Sequence, residues 1–179
     1  PISVGIYGVS VMMAELLWHL PNATGFVIFP KAANSPQELM NRFTPRVFWT
    51  VLAISLSGAA CLVLFGKLLI RIIFSDAFRD AYTPLLILLP GVALLGAGKI
   101  LANDIAGRGY PHYNSIASGI SLGVTIILDL WLIPTAGIPG AALASSLSYT
   151  LTFFVAVGFY RSVARGWRKP SPFSTKTAE

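Results

Sequence analysis

Apolar residues in this chain come in long blocks instead of alternating with polar ones. Five blocks are long enough to cross a bilayer, which takes about 20 residues at about 1.5 Å of rise to cover about 30 Å of hydrocarbon. They run from Val4 to Phe29, Val47 to Phe65, Pro84 to Ala106, Ser115 to Ile133 and Ile138 to Tyr160. A membrane barrel would instead show short segments alternating apolar-out and polar-in, and none occurs. The pattern predicts an all-α, polytopic transmembrane helix bundle of five spans. Between spans, Ser35-Pro36-Gln37-Glu38 reads as a capping box that starts a short helix, and Thr44-Pro45 as the cap and first-turn proline of the second span. The stretch from Gly66 to Phe74, apolar with two spaced cations, reads as a helix continuation in the interface. Pro21 predicts a kink in the first span.

Composition agrees. Hydrophobic residues make up 55%, charged residues 11%, and mean hydropathy is +0.71, whereas a soluble domain carries about 25% charge. This composition argues against a soluble enzyme domain. The 13 Lys and Arg against 7 Asp and Glu, net +6, sit between apolar runs, so they report topology and not a nucleic-acid surface. Lys31, Arg42, Arg46, Arg108, Arg161, Arg165, Arg168, Lys169 and Lys176 fall on one side, and Lys67, Arg71 and Arg79 on the other. The positive-inside rule then places the C-terminus in the cytoplasm and the start of the chain outside. The first stretch is too long for a signal peptide and carries Glu15. Opening at Pro1 outside the membrane, with an odd number of spans, the sequence reads as a fragment, and residues 166–179 as a disordered cytoplasmic tail. Cys61 stands alone inside an apolar run, so neither a disulfide nor a metal site is expected, and no cofactor.

Polar residues inside spans carry the candidate chemistry, because a charge at mid-bilayer needs a partner, water or a function. In the first span Gly8, Met12, Glu15, His19 and Asn22 recur at helical spacing, a face expected to look inward. Glu15 and His19, four residues apart, read either as a protonation switch or as a static polar pair. Lys99, eight residues before Gly107, lies about 12 Å from the helix end, too deep for full snorkelling. It suits a water-filled cavity that receives an anion, with Asn103 one turn below, or else partial snorkelling or an ion pair. Asp104 and Arg108 form an acid-first pair at the helix end, read as structural. Asn114, Ser118, Ser121, Thr125 and Asp129 make a stripe that either lines a cavity or bonds its own helix. Ser115, Gly119 and Gly123 give a small-residue face for close helix contact. Trp131, Tyr160 and Trp167 read as interfacial anchors.

No G-x-x-x-x-G-K-[ST] loop, no H-E-x-x-H and no Ser-His-Asp set occurs in the connections, which favours transport over catalysis. The order of features resembles the second half of oligosaccharide flippases, the polysaccharide biosynthesis export proteins of the multidrug, oligosaccharidyl-lipid and polysaccharide exporter superfamily. The likeness lies in Gly5-Ile6-Tyr7, Ala14 to Pro21, Phe29-Pro30, Gly98-Lys99-Ile100-Leu101, Ala106-Gly107-Arg108-Gly109, and Leu132-Ile133-Pro134 followed by Gly137 to Ala144. It departs at Asp129, where an asparagine is expected.

The resemblance implies a C-terminal lobe over residues 1–165 of a 12- or 14-helix transporter whose N-terminal lobe is missing, in the bacterial cytoplasmic membrane. It implies alternating-access translocation of a polyprenyl-pyrophosphate-linked oligosaccharide, such as an O-antigen, capsule or exopolysaccharide unit, with H⁺ or Na⁺ as coupling ion. Polysaccharide polymerase and export machinery are the implied protein partners. Lys99 and Asn103 would bind the anion, Glu15 and His19 couple, and Asn22, Ser118, Ser121 and Thr125 line the cavity. Alternatives are a multidrug or small-solute antiporter of the same superfamily, a membrane-embedded lipid-modifying transferase, and a non-transporting envelope scaffold.

Overall fold

Peptide groups in hydrocarbon find no water, so each apolar run must bond its amides internally. A computed structural model describes residues 2–166, and their regular structure is helical. The helices are α1 (Ile2–Glu15), α2 (His19–Asn34), α3 (Gln37–Phe74), α4 (Tyr82–Gly107) and α5 (Pro111–Gly166). Short 3₁₀ turns, Leu16–Trp18 and Asp76–Ala81, join α1 to α2 and α3 to α4. The predicted tail lies, from residue 167 on, outside the described residues.

Four helical stretches are long and apolar enough to cross a membrane: Val4–Asn34, Gln37–Phe74, Asp76–Gly107 and Pro111–Gly166. The five expected spans fall on four long helices and not five, because the last two predicted spans share the 56-residue α5. The charge-free turn from Pro134 to Gly140 keeps helical backbone except at Gly137, with φ 59° and ψ −131°. An unbroken helix would hold Ser121 and Thr152 about 46 Å apart. Their hydroxyls are 2.7 Å apart, so α5 doubles back at Gly137 and its two arms lie side by side. Gly137 tolerates a backbone region closed to residues with a Cβ. Gly137→Ala is expected to lower stability by about 1–3 kcal/mol, measured by denaturant titration in bilayer discs; an unchanged midpoint would show that the hairpin does not depend on this conformation.

Two other local expectations are corrected. The separate helix after Ser35 and the span starting at Thr44-Pro45 are one continuous α3 of 38 residues, about 57 Å long, which also absorbs the predicted interfacial segment. Ser35 ends α2 and Pro36 caps α3 without a side-chain bond, while the Thr44 hydroxyl donates to Asp104 Oδ1 at 2.9 Å and caps nothing. The kink expected at Pro21 takes the form of the 3₁₀ turn just before it. Proline has no N–H to give the carbonyl of Leu17 and crowds it sterically, so the chain tightens there.

Helix α4 is the centre of the bundle, buried along its length from Pro84 to Ile105. One core cluster gathers Val9, Met13, Ile70, Leu85 and Leu88, and a second gathers Ile28, Val51, Ala97, Ile100 and Phe153. The second arm of α5 comes so close to α4 that a Cβ on Gly91 would lie 2.7 Å from the Ser146 Cα, the kind of contact small residues permit in membranes. Large apolar side chains such as Phe26, Leu64 and Leu130 face outward, as in a molecule whose solvent is lipid. At one end of the bundle Lys31 lies over Phe43 and Arg108 meets Asn41. At the other end Ser10 donates to the Ala81 carbonyl and Arg71 pairs with Asp76.

Candidate functional site

Lys99 stands on α4 toward the α2 and α5 sides. Its ammonium donates to Asn22 Oδ1 at 3.0 Å and lies 3.9 Å from the centre of the Trp18 ring. No described carboxylate is within ion-pair distance of it. Beside it opens a cavity of about 220 Å³ lined by Leu95, Gly98, Lys99, Asn114, Ser118 and Thr152 among others. Leu95, Ser118 and Thr152 also line a second opening of about 330 Å³, with Ser121, Thr125 and Tyr149. The two therefore form one groove, walled by α4 and both arms of α5, with Lys99 lining one end and a row of hydroxyls along it.

The hydroxyl row is partly engaged. Thr152 donates to Ser121 Oγ and shares that proton with the Ser148 carbonyl, both at 2.7 Å, and Thr125 bonds the Ser121 carbonyl at 2.8 Å. Asn114 donates to the Ala102 carbonyl at 2.9 Å and staples the first arm of α5 to α4. The structure thus brings Lys99, Ser118, Ser121 and Thr125 to one groove, with Asn22 reaching Lys99 from α2.

Asn103 is placed elsewhere. Its amide donates to the Lys99 carbonyl at 2.7 Å and packs against Gly25, where a Cβ would lie 2.6 Å from Nδ2. It supports the backbone under Lys99 and does not line the groove. Glu15 and His19 do not bond each other. The His19 ring meets the Leu16 carbonyl at 3.2 Å, because the intervening 3₁₀ turn has three residues per turn and rotates the fourth away. Glu15 instead lines a small cleft with Trp18, Val92 and Tyr149 and acts electrostatically on Lys99. The face of Met12, Glu15, His19 and Asn22, expected to look inward, is exposed. Val9, Met13, Ala14, Pro21, Gly25 and Ile28 bury the opposite side, since small and apolar residues pack more closely on α4.

Sequence reasoning missed Trp18. Distance from span ends marks Trp131, Tyr160 and Trp167 as anchors but gives a mid-span tryptophan no such mark. The available signal is its four-residue spacing to Asn22, which puts it beside the polar face. Tyr160, read as an interfacial anchor, packs with its ring 5.8 Å from the Arg108 guanidinium at the end of α4.

A second polar centre lies below the groove. The side chains of Asp104 and Arg108 are fully buried, joined at 2.7 Å, with Thr44 and Asn41 completing the network. At the other end of the bundle an opening of about 550 Å³ is lined by Lys67, Arg71, Asp76, Arg79 and Asp80. Its two ion pairs expose 69–82% of their side chains, which makes them a solvated surface. Among the described residues no three His, Cys, Asp or Glu side chains gather as a metal site.

No protein-family model matches the chain, and no solved structure is a significant match. An uncharacterized membrane protein of Methanocaldococcus jannaschii is 24% identical over 155 residues, covering 84% of this chain and 31% of that protein. The chain therefore spans about a third of the length of this relative. Together with the outward apolar side chains and helices of membrane-crossing length, this makes it a membrane-embedded helical protein.

Proposed function

We propose that this protein moves an anionic, lipid-linked oligosaccharide across the cytoplasmic membrane by alternating access, with Lys99 receiving the phosphate-bearing headgroup. The carrying observation is the Lys99 ammonium, held beside the groove by neutral groups alone, Asn22 and the Trp18 ring. A cation at that depth is costly unless something compensates it, and a pyrophosphate supplies the compensation. The hydroxyls of Ser118, Ser121 and Thr125 offer the neighbouring polar contacts that a sugar needs. Short connections without catalytic motifs support a carrier over an enzyme, and the basic bias supports an orientation with the Arg108 end in the cytoplasm. The resemblance to oligosaccharide flippases points to the same substrate class.

The test is translocation of a fluorescent short-chain polyprenyl-pyrophosphate oligosaccharide by the full-length protein in proteoliposomes under imposed H⁺, Na⁺ and potential gradients. Movement above protein-free vesicles is expected. If none occurs under any gradient while a cationic solute is exchanged, the reading passes to the small-solute antiporter. Glu15 provides a finer check. Its carboxylate opposes an incoming anion, so Glu15→Gln is expected to tighten binding of geranyl pyrophosphate roughly threefold, read by titration calorimetry. Weaker binding in that variant would mean that Glu15 orders the site and does not repel its ligand.

A further inference from the structure

The neutral partners of Lys99 set how its charge is presented. A carboxylate within ion-pair distance would hold the ammonium as well, but an anion would then have to break that pair. An aromatic face attracts the cation through its quadrupole without neutralising it. Trp18 is itself fixed on the helix that bears Lys99. Its Nε1 donates to the Val92 carbonyl at 3.1 Å, and its ring edge lies close over Gly96, where a Cβ would be 3.5 Å away. Tyr149, which lines the groove, meets the ring edge-on at a centroid distance of 5.9 Å. Val92 and Lys99 are seven residues apart, two turns of α4 on one side. The indole therefore spans from the carbonyl of one turn to the ammonium two turns on, a fixed shelf for a side chain with four rotatable bonds. Glu15 is the acid that acts on Lys99, from beyond ion-pair distance.

We infer that Trp18 is a positioning residue of the groove: its indole face holds the Lys99 ammonium beside the cavity with its charge left available to an anionic headgroup. This rests on the anion reading above for the ligand, though the pairing of ring and ammonium can be tested without one. Trp18 acts through Lys99 and needs no contact with the substrate. Holding the side chain in its binding position removes ordering that would otherwise weaken affinity.

The test has two parts, both on the full-length protein in bilayer discs. Reductive methylation with ¹³C-formaldehyde keeps the lysine charge and gives a Lys99 resonance assigned by its loss in Lys99→Met. That resonance is expected upfield from the ring current, less so in Trp18→Phe, and at the ordinary lysine position in Trp18→Leu. Binding of geranyl pyrophosphate is then measured in a double-variant cycle. Trp18→Leu is expected to weaken binding about tenfold in the wild-type background and not at all in Lys99→Met, and Trp18→Phe to stay within about threefold of wild type. An equal loss in both backgrounds would reduce Trp18 to packing and overturn the inference, as would an unshifted resonance in the unaltered protein. If Trp18→Leu does not fold, Trp18→Phe and the resonance decide. Failure of the unaltered protein to bind the probe, with the resonance shifted, would sink the anion reading while upholding the positioning of Lys99 by Trp18.

Discussion

Arg108→Met is expected to destabilise the bundle by about 3–5 kcal/mol, because it strands the buried Asp104 carboxylate. Both side chains are fully buried. Arg108 Nε donates to Asp104 Oδ2 at 2.7 Å and Nη1 to Asn41 Oδ1 at 2.9 Å. Asn41 and Gln37 in turn donate to the Ala164 carbonyl at 3.2 and 2.8 Å. This joins the first turns of α3, the last turn of α4 and the last turn of α5. Arg108 also caps the C-terminus of α4, where a cation is favoured and Asp104 alone is not. Removing the arginine leaves the carboxylate with the Thr44 hydroxyl as its remaining hydrogen-bond donor from a side chain.

The double variant Asp104→Leu/Arg108→Met is expected to recover most of that loss, since it removes the stranded charge along with its partner. Arg108→Lys is expected to recover less, because an ammonium cannot reproduce the planar fork that reaches Asp104 and Asn41 together. Unfolding in bilayer discs, followed by helix-packing fluorescence, checks all three. A single-variant loss under about 1 kcal/mol would mean that water or another group already compensates Asp104.

The contrast between this network and the rest of the chain shows what the sequence discloses. Asp104 and Arg108 are legible because both partners lie on one turn, where spacing alone decides contact. Fold class is legible because length and hydropathy act on each helix separately. Thr44 is misread because a threonine before proline looks like a cap, whereas its hydroxyl is taken by an aspartate 60 residues on. The turn at Gly137 is legible as a break but not as one residue wide, since hydropathy does not report how tightly helical bonding resumes beyond a glycine. Lys99 is legible as an anomaly of depth. What holds it is not, because the Trp18 ring and Asn22 reach it from another helix, Asn22 across 77 positions. The register between helices depends on which small residues, such as Gly25 and Gly96, admit which neighbours. Asn103 shows the same limit: helical spacing puts it under Lys99, but packing against Gly25 turns its amide back to the backbone.

The strongest functional effect belongs to Lys99 itself. Lys99→Met is expected to weaken geranyl pyrophosphate binding roughly 30-fold or more, the scale of truncating one partner of a desolvated charge pair, and to stop oligosaccharide movement in proteoliposomes. The same variant removes a mid-membrane cation, so its stability is expected to hold or rise. That opposite sign separates loss of function from loss of fold. Lys99→Arg is expected to keep much of the binding, because a guanidinium also stacks on an indole and meets phosphate well. Ser118→Ala removes one lining hydroxyl and is expected to change binding by no more than about threefold. Unchanged affinity in Lys99→Met would place the anion elsewhere and reduce the ammonium over Trp18 to a helix-packing contact. A fall in affinity and stability together would leave Lys99 a structural cation and remove the main support for an anionic substrate.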